Sequence, residues 1–202
     1  MPYPAFIENT KDGEKSWDVY SRMLKDRIVF LTGGVEENMA NHLVAQLLLL
    51  ESQDNESPIN MYVNSPGGYV THGLAIYDTM QYIKAPVNTI IIGQAASMGS
   101  LLAQAGTGKR YMTQNARHMV HRVSSGTGGT SGSIHVQELE FEDARRHLEE
   151  SKNLNKRLTE IYVKHNTKDK TYDELFEVMK HDTFMSAEES LEFGLVDEIV
   201  TS

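Results

Sequence analysis

The chain has 202 residues, 40% hydrophobic and 23% charged, a mix that supports a buried core and excludes collagen-like, mucin-like and largely disordered classes. Against 28 Asp and Glu stand 19 Lys and Arg, a net charge of −9 with no basic run, which disfavours nucleic acid as a partner. The absence of cysteine removes disulfides, thiolate catalysis and cysteine-zinc sites, and fits a reducing compartment.

The first residues, Met1-Pro-Tyr-Pro-Ala-Phe-Ile-Glu, lack the cationic end and apolar run of a secretory signal. No apolar run exceeds Leu47 to Leu50, far below the ~20 residues of a membrane span. A cytoplasmic location is therefore expected.

Strand-like segments rich in β-branched and aromatic residues recur at Arg27 to Leu31, Asn60 to Asn64, Val87 to Ile92, His118 to Val123 and Leu195 to Val200. Between the first two, Asn38 to Glu51 carries Met39, Leu43, Leu47 and Leu50, a spacing that draws one apolar stripe down a helix. Val70 to Ile83 repeats the pattern with Leu74, Ile76, Tyr77, Met80 and Ile83. Strand and helix in alternation predict an α/β fold with crossover connections. After a glycine-serine stretch, Ser124 to Ser133, the chain from Ile134 to His165 contains neither Pro nor Gly and predicts one long helix, part of it projecting. Such a helix reaches roughly 48 Å at 1.5 Å per residue. Later helices open at the capping boxes Thr171-x-x-Glu174 and Ser186-x-x-Glu189.

Chemistry is concentrated at four places. In Ala95-x-Ser97-x-Gly99 a serine sits where an apolar strand turns into a helix, a relaxed nucleophile elbow that could equally be an N-cap. A second glycine turn, Asn64-Ser-Pro-Gly-Gly68, ends another strand, so the amides of Gly68 and Met98 could form a two-donor oxyanion hole. A serine nucleophile needs a base. His121 ends a short strand, and His118, three residues away, must face the other side and reads as packing or surface. Asp182, in the link between two predicted helices, can be presented by a loop as the acid that orients a base. From the residues alone, Ser97, His121 and Asp182 are a possible geometry, and the other six histidines remain open. No metal site is expected, since His118-x-x-His121 lacks a third ligand at a recognisable spacing. No phosphate-cradling or dinucleotide motif occurs either.

Gly93-Gln-Ala-Ala-Ser-Met-Gly99 and Asn64-Ser-Pro-Gly-Gly68 resemble the signatures of the ClpP family, the proteolytic subunits of ATP-dependent Clp proteases. So do Tyr20-Ser-Arg-Met-Leu-Lys-Asp-Arg27, Ile76-Tyr-Asp-Thr-Met80 and Phe193-Gly-Leu-Val-Asp197. The likeness runs from about Ile7 to the end. It implies a ClpP/crotonase-like spiral of β-β-α units in one protease domain, with an N-terminal axial segment over about residues 1–20 and a handle over about 124–165. It implies Ser97 as nucleophile, His121 as general base, Asp182 as its orienting acid, and Gly68 and Met98 as oxyanion donors. It also implies heptameric rings stacked into a tetradecamer, a hexameric Clp ATPase of the ClpX or ClpA type feeding unfolded polypeptides, and a docking cleft with Tyr62, Tyr82 and Ile92. No cofactor is implied; ATP would be used by the partner.

Three departures bear on this. Arg122-Val123 stands where the family usually has Gln-Pro, and Asn60 replaces a usual aromatic of the cleft. Lys180-His181 replaces an acidic residue and arginine that pair between rings, and since histidine changes charge near neutrality while arginine does not, ring assembly is expected to be weaker or pH-sensitive. Two rivals stand beside the peptidase: a crotonase-like hydratase or isomerase, which would not need Ser97, and a non-catalytic subunit of a mixed ring.

Overall fold

A computed structural model describes residues 5–11, 13–123 and 141–201 of the chain. The glycine-serine stretch and the start of the expected long helix, residues 124–140, lie outside them, as do residues 1–4 of the expected axial segment.

The described chain begins with an antiparallel hairpin, β1 (Ala5–Thr10) and β2 (Gly13–Asp18), and the short helix α1 (Val19–Lys25). Asp18 caps α1 by accepting from the Ser21 amide. Neither hairpin strand appears among the predicted segments, because the described side chains of β2 are exposed apart from half-buried Trp17 and no apolar alternation marks them. Next come β3 (Ile28–Val35), α2 (Glu37–Gln53), β4 (Ile59–Gly68), α3 (Val70–Tyr82) and β5 (Val87–Ala96). α2, β4 and β5 contain the predicted segments at those places and extend them by a few residues, whereas β3 starts one residue after the predicted Arg27 and α3 ends one residue before the predicted Ile83. The stripe on α2 buries Leu43, Leu47 and Leu50, and that on α3 buries Ile76, Tyr77 and Met80. β3, β4 and β5 run parallel in that order, with Ile28 beside Asn60 and Asn60 beside Asn88. Alternate residues of these strands, among them Val29, Leu31, Met61, Val63 and Ile91, face the helices and are fully buried.

The chain continues through α4 (Met98–Gln104), β6 (Arg110–Thr113) and β7 (Arg117–Val120). It closes with α5 (Phe141–His165), α6 (Tyr172–Val178), β8 (Thr183–Met185), α7 (Ala187–Phe193) and β9 (Glu198–Val200). Both predicted capping boxes are formed, at Thr171/Glu174 and Ser186/Glu189. The long helix runs to His165 as expected, with the described side chains of its first half exposed apart from half-buried Ser151, and Leu158, Ile161 and Tyr162 buried against the body.

One detail of the topology positions Ser97 and His121 side by side. β5 forks: β6 pairs with its first half, at Thr89 to Ile91, and β7 with its end, at Gln94 to Ala96. β7 in turn pairs antiparallel with β8, and β9 lies on the far edge of β6. The result is the mixed α/β architecture expected from the sequence, mostly parallel, with one cluster of buried residues spanning Val29 to Val196. Among the described residues no helix is long and apolar enough to cross a membrane.

Candidate active site

Ser97 occupies the single residue between β5 and α4, and its backbone is left-handed in φ, at 54° with ψ −124°. A non-glycine residue held there costs of order 1–3 kcal/mol and persists only where its surroundings impose it. They do: the Ser97 amide donates to the Met119 carbonyl of β7 at 2.9 Å, and its own carbonyl accepts from Leu101 in the first turn of α4. The Pro66-Gly67-Gly68 turn presses on the elbow from the other side. A Cβ on Gly67 would stand 2.6 Å from the Ser97 Cβ and 3.0 Å from the Met98 nitrogen, so only glycine lets the two turns touch. The N-cap alternative for Ser97 finds no support, since its side chain makes no capping bond.

The pairing of β7 with its neighbours brings the other two side chains in. β7 lies beside the end of β5, with Met119 opposite Ala96, so His121 follows the strand close to Ser97. β8 pairs with β7 so that Thr183 faces Val120, and one step further along the same register Asp182 faces His121. His121 Nε2 lies 2.8 Å from Ser97 Oγ, and His121 Nδ1 lies 3.0 Å from Asp182 Oδ1. A carboxylate at Nδ1 can only accept, so Nδ1 carries the proton and Nε2 is free to take one from the serine. The segment after His121 is pinned on both sides. The Arg122 amide donates to the Met179 carbonyl at 2.9 Å, and the Val123 amide donates to Asn155 Oδ1 of α5 at 2.7 Å. The structure thus brings Ser97, His121 and Asp182 into one row, with the imidazole largely covered and the carboxylate 62% exposed.

A cavity of about 410 Å³ opens in front of this row, lined by Ser97, His121, Gly68 and Met98. Its lining includes the apolar side chains of Val70, Leu101 and Leu158 and the ring of Tyr162. No motif in the sequence marks these residues as cavity wall; Leu158 and Tyr162 come from α5, which meets α4 only through the tertiary fold. The α4 amides point out of a helix N-terminus, a position of positive potential suited to developing negative charge.

His118 is fully buried, facing away from the site as the strand alternation requires. Its Nε2 lies 2.7 Å from Ser100 Oγ, and Tyr162 donates its hydroxyl to the same oxygen at 2.7 Å. Burial lowers the His118 pKa to about 4, against the opposing pull of the Ser100 bond. Burial also raises the Tyr162 pKa. This serine-histidine pair is closed off from solvent, and it ties α4, which follows Ser97, to both β7 and α5.

The expected docking residues fall elsewhere. Tyr62 and Ile92 project from the outer faces of β4 and β5, Tyr62 stacked on Phe30 at 5.8 Å between centroids, and Tyr82 ends α3 with 81% of its surface exposed. Asn60, which stands in place of an aromatic, accepts from Asn88 Nδ2 at 2.9 Å. Compared with known protein families, the chain matches the family described as Clp protease over residues 11–202.

Proposed function

The chain belongs to the Clp protease family, and from that premise we propose that it is a serine endopeptidase in which Ser97 is the nucleophile, His121 the general base and Asp182 the orienting acid. The observation that carries this is the unbroken row of contacts at 2.8 and 3.0 Å from hydroxyl to imidazole to carboxylate. Ser97 Oγ attacks the peptide carbonyl while Nε2 of His121 accepts its proton. The imidazolium so formed is stabilised by Asp182. The carbonyl oxygen becomes an anion, and the amides of Gly68 and Met98, both on the cavity wall, are the donors that would hold it at about 2.7 to 3.1 Å. His121 returns the proton to the leaving amine, and water then releases the acyl-enzyme by the same steps in reverse order. The apolar wall of the cavity favours an apolar residue on the acyl side of the cut.

Family membership supports the further reading that the subunit assembles into stacked heptameric rings and receives unfolded polypeptide from a hexameric Clp ATPase at a cleft including Tyr62, Tyr82 and Ile92. The energy of ATP would then be spent by the partner, and this chain would need no cofactor of its own.

The test is covalent labelling with a fluorophosphonate, read by mass spectrometry, together with cleavage of casein and a small apolar peptide. The wild-type chain is expected to carry one label on Ser97, and Ser97→Ala to lose both label and cleavage while keeping its fold. Cleavage that survives in Ser97→Ala, or a wild-type chain that neither labels nor cleaves, would refute the assignment.

A further inference from the structure

A second cavity, of about 570 Å³, shares His121 and Val123 with the first and includes Asp182, but reaches none of Ser97, Gly68 and Met98. In a chain of net charge −9 it is lined by four cations, Arg122, Lys152, Lys156 and Lys180. They are scattered over nearly sixty positions, so no basic run in the sequence announces them. Asp182 is the one carboxylate among the described lining residues, and it is taken up by His121. Lys180 is paired with Glu177 at 2.6 Å, and Lys156 lies 3.9 Å from Glu160. Arg122 and Lys152 have no ion pair among the described residues. Arg122 is nevertheless fixed: its guanidinium carbon lies 5.0 Å from the centre of the Phe176 ring, and its amide is bonded to Met179. Stacking on a ring holds a guanidinium without using its N–H donors. A preorganised cation whose donors are free among the described residues, beside a second cation unpaired among them, is suited to binding a carboxylate.

Its place relative to the chemistry says which carboxylate. His121 hands its proton to the leaving amine, so the C-terminal half of the cut peptide starts beside His121, where this cavity begins. Resting on the peptidase reading above, we infer that the cavity is a subsite for a carboxylate carried on the C-terminal side of the scissile bond, with Arg122 and Lys152 as its specificity-determining residues. The carboxylate is an Asp or Glu side chain, or the free C-terminus of a short substrate.

The experiment uses the full chain and fluorogenic peptides that share one N-terminal half and carry Glu, Gln or Lys at the first, second or third position after the cut, as C-terminal amides. One further pair compares amide with free acid on the Gln peptide. At one position Glu is expected to raise kcat/KM about three- to tenfold over Gln, with Lys below Gln, and the ratio should shrink from about 0.05 to about 0.5 M salt as screening lengths contract. A gain confined to the free acid assigns the subsite to the terminal carboxylate. Arg122→Gln combined with Lys152→Gln should bring the ratio near one, while Lys109→Gln, remote from the cavity, should not. The wild-type ratio and its salt dependence need no variant. Anisotropy of the same labelled peptides on Ser97→Ala, where Glu should again bind tighter than Gln, judges the subsite even if no peptide is cut. Equal values for Glu and Gln at all three positions and for acid and amide, in both assays, or a preference that survives the double substitution, overturn the inference. In that case cleavage of the Gln peptide leaves the peptidase reading standing.

Discussion

Asp182 is the most exposed member of the row, and its contribution rests on one bond to Nδ1 rather than on burial. Asn in its place can turn its amide toward that nitrogen, which favours the tautomer with the proton on Nε2, and that nitrogen can then no longer accept from Ser97. Asp182→Asn is therefore expected to lower kcat on a neutral apolar peptide by about 10² to 10⁴ with KM changed much less. Steady-state kinetics check it, and a raised KM with kcat intact would make Asp182 a substrate contact instead. His118, on the other face of the same strand, affects stability rather than rate. Its pKa in the folded chain is about 4 against an ordinary 6.5, burial being the main cause. Between those values the unfolded chain binds the proton and the folded chain does not. This stability is thus fully present above pH about 6.5 and lost as pH falls toward 4, by up to about 3 kcal/mol. His165 acts in the same sense, lowered to about 4 by burial and then by Lys164 and Arg110. Urea unfolding at pH 7 and pH 4.5 should show a smaller acid loss in His118→Gln than in the wild type; equal losses would remove His118 from the account. His118 and His121 illustrate what the sequence could say at this scale. Strand alternation separated the two faces, but which face held the serine depended on β7 pairing with the end of β5, and no local pattern encodes that.

Among the elements, the turn from α2 into β4 is held by one side chain. Arg27, itself at φ 62°, donates to the carbonyls of Leu50, Asp54, Ser57 and Pro58 at 2.8 to 3.2 Å. It closes the C-terminal end of α2 and fixes the entry of β4, whose far end is the Pro-Gly-Gly turn against Ser97. Lysine retains the charge but not the planar fork, so Arg27→Lys should cost about 1–3 kcal/mol, measured by chemical denaturation. A loss below about 0.5 kcal/mol would mean that water replaces those bonds at little cost. The sequence placed Arg27 at the head of a strand, and its bonding stayed invisible because all four acceptors are main-chain groups brought together by tertiary approach. The same physics separates the legible strands from the illegible. β3, β4 and β5 are long, β-branched and buried on one face, so composition reveals them. β6 and β8 have four and three residues, too few for any period. Yet β8 delivers Asp182, which sequence reading could place only in a loop between helices.

For the molecule as a whole, the resemblance in the Gly-Gln-Ala-Ala-Ser-Met-Gly segment made fold and reaction class legible, while the two cavities beside the row were not, because the walls of the first come from α3, α4 and α5 and those of the second from α5 and α6. α5 also bears on assembly. Its described side chains at positions 143 and 145–153 are exposed apart from half-buried Ser151, Leu148 at 53%, whereas Leu158, Ile161 and Tyr162 are sealed against the body. A half-helix without tertiary packing is marginal in water, since nucleation is costly and most helical stability in proteins comes from a buried face. In the proposed two-ring particle a neighbouring chain would supply that packing. Lys180, already paired with Glu177 in its own chain, would have less to offer a second ring. Hydrogen exchange should therefore separate the two halves of α5. Amides of residues 143–153 should be protected in the intact particle and exchange rapidly once native mass spectrometry shows single chains, while those of 158–165 stay protected in both. If residues 143–153 exchange at one rate in particle and single chain alike, α5 is not the element that joins the subunits, and the ring contact must be sought elsewhere on the chain.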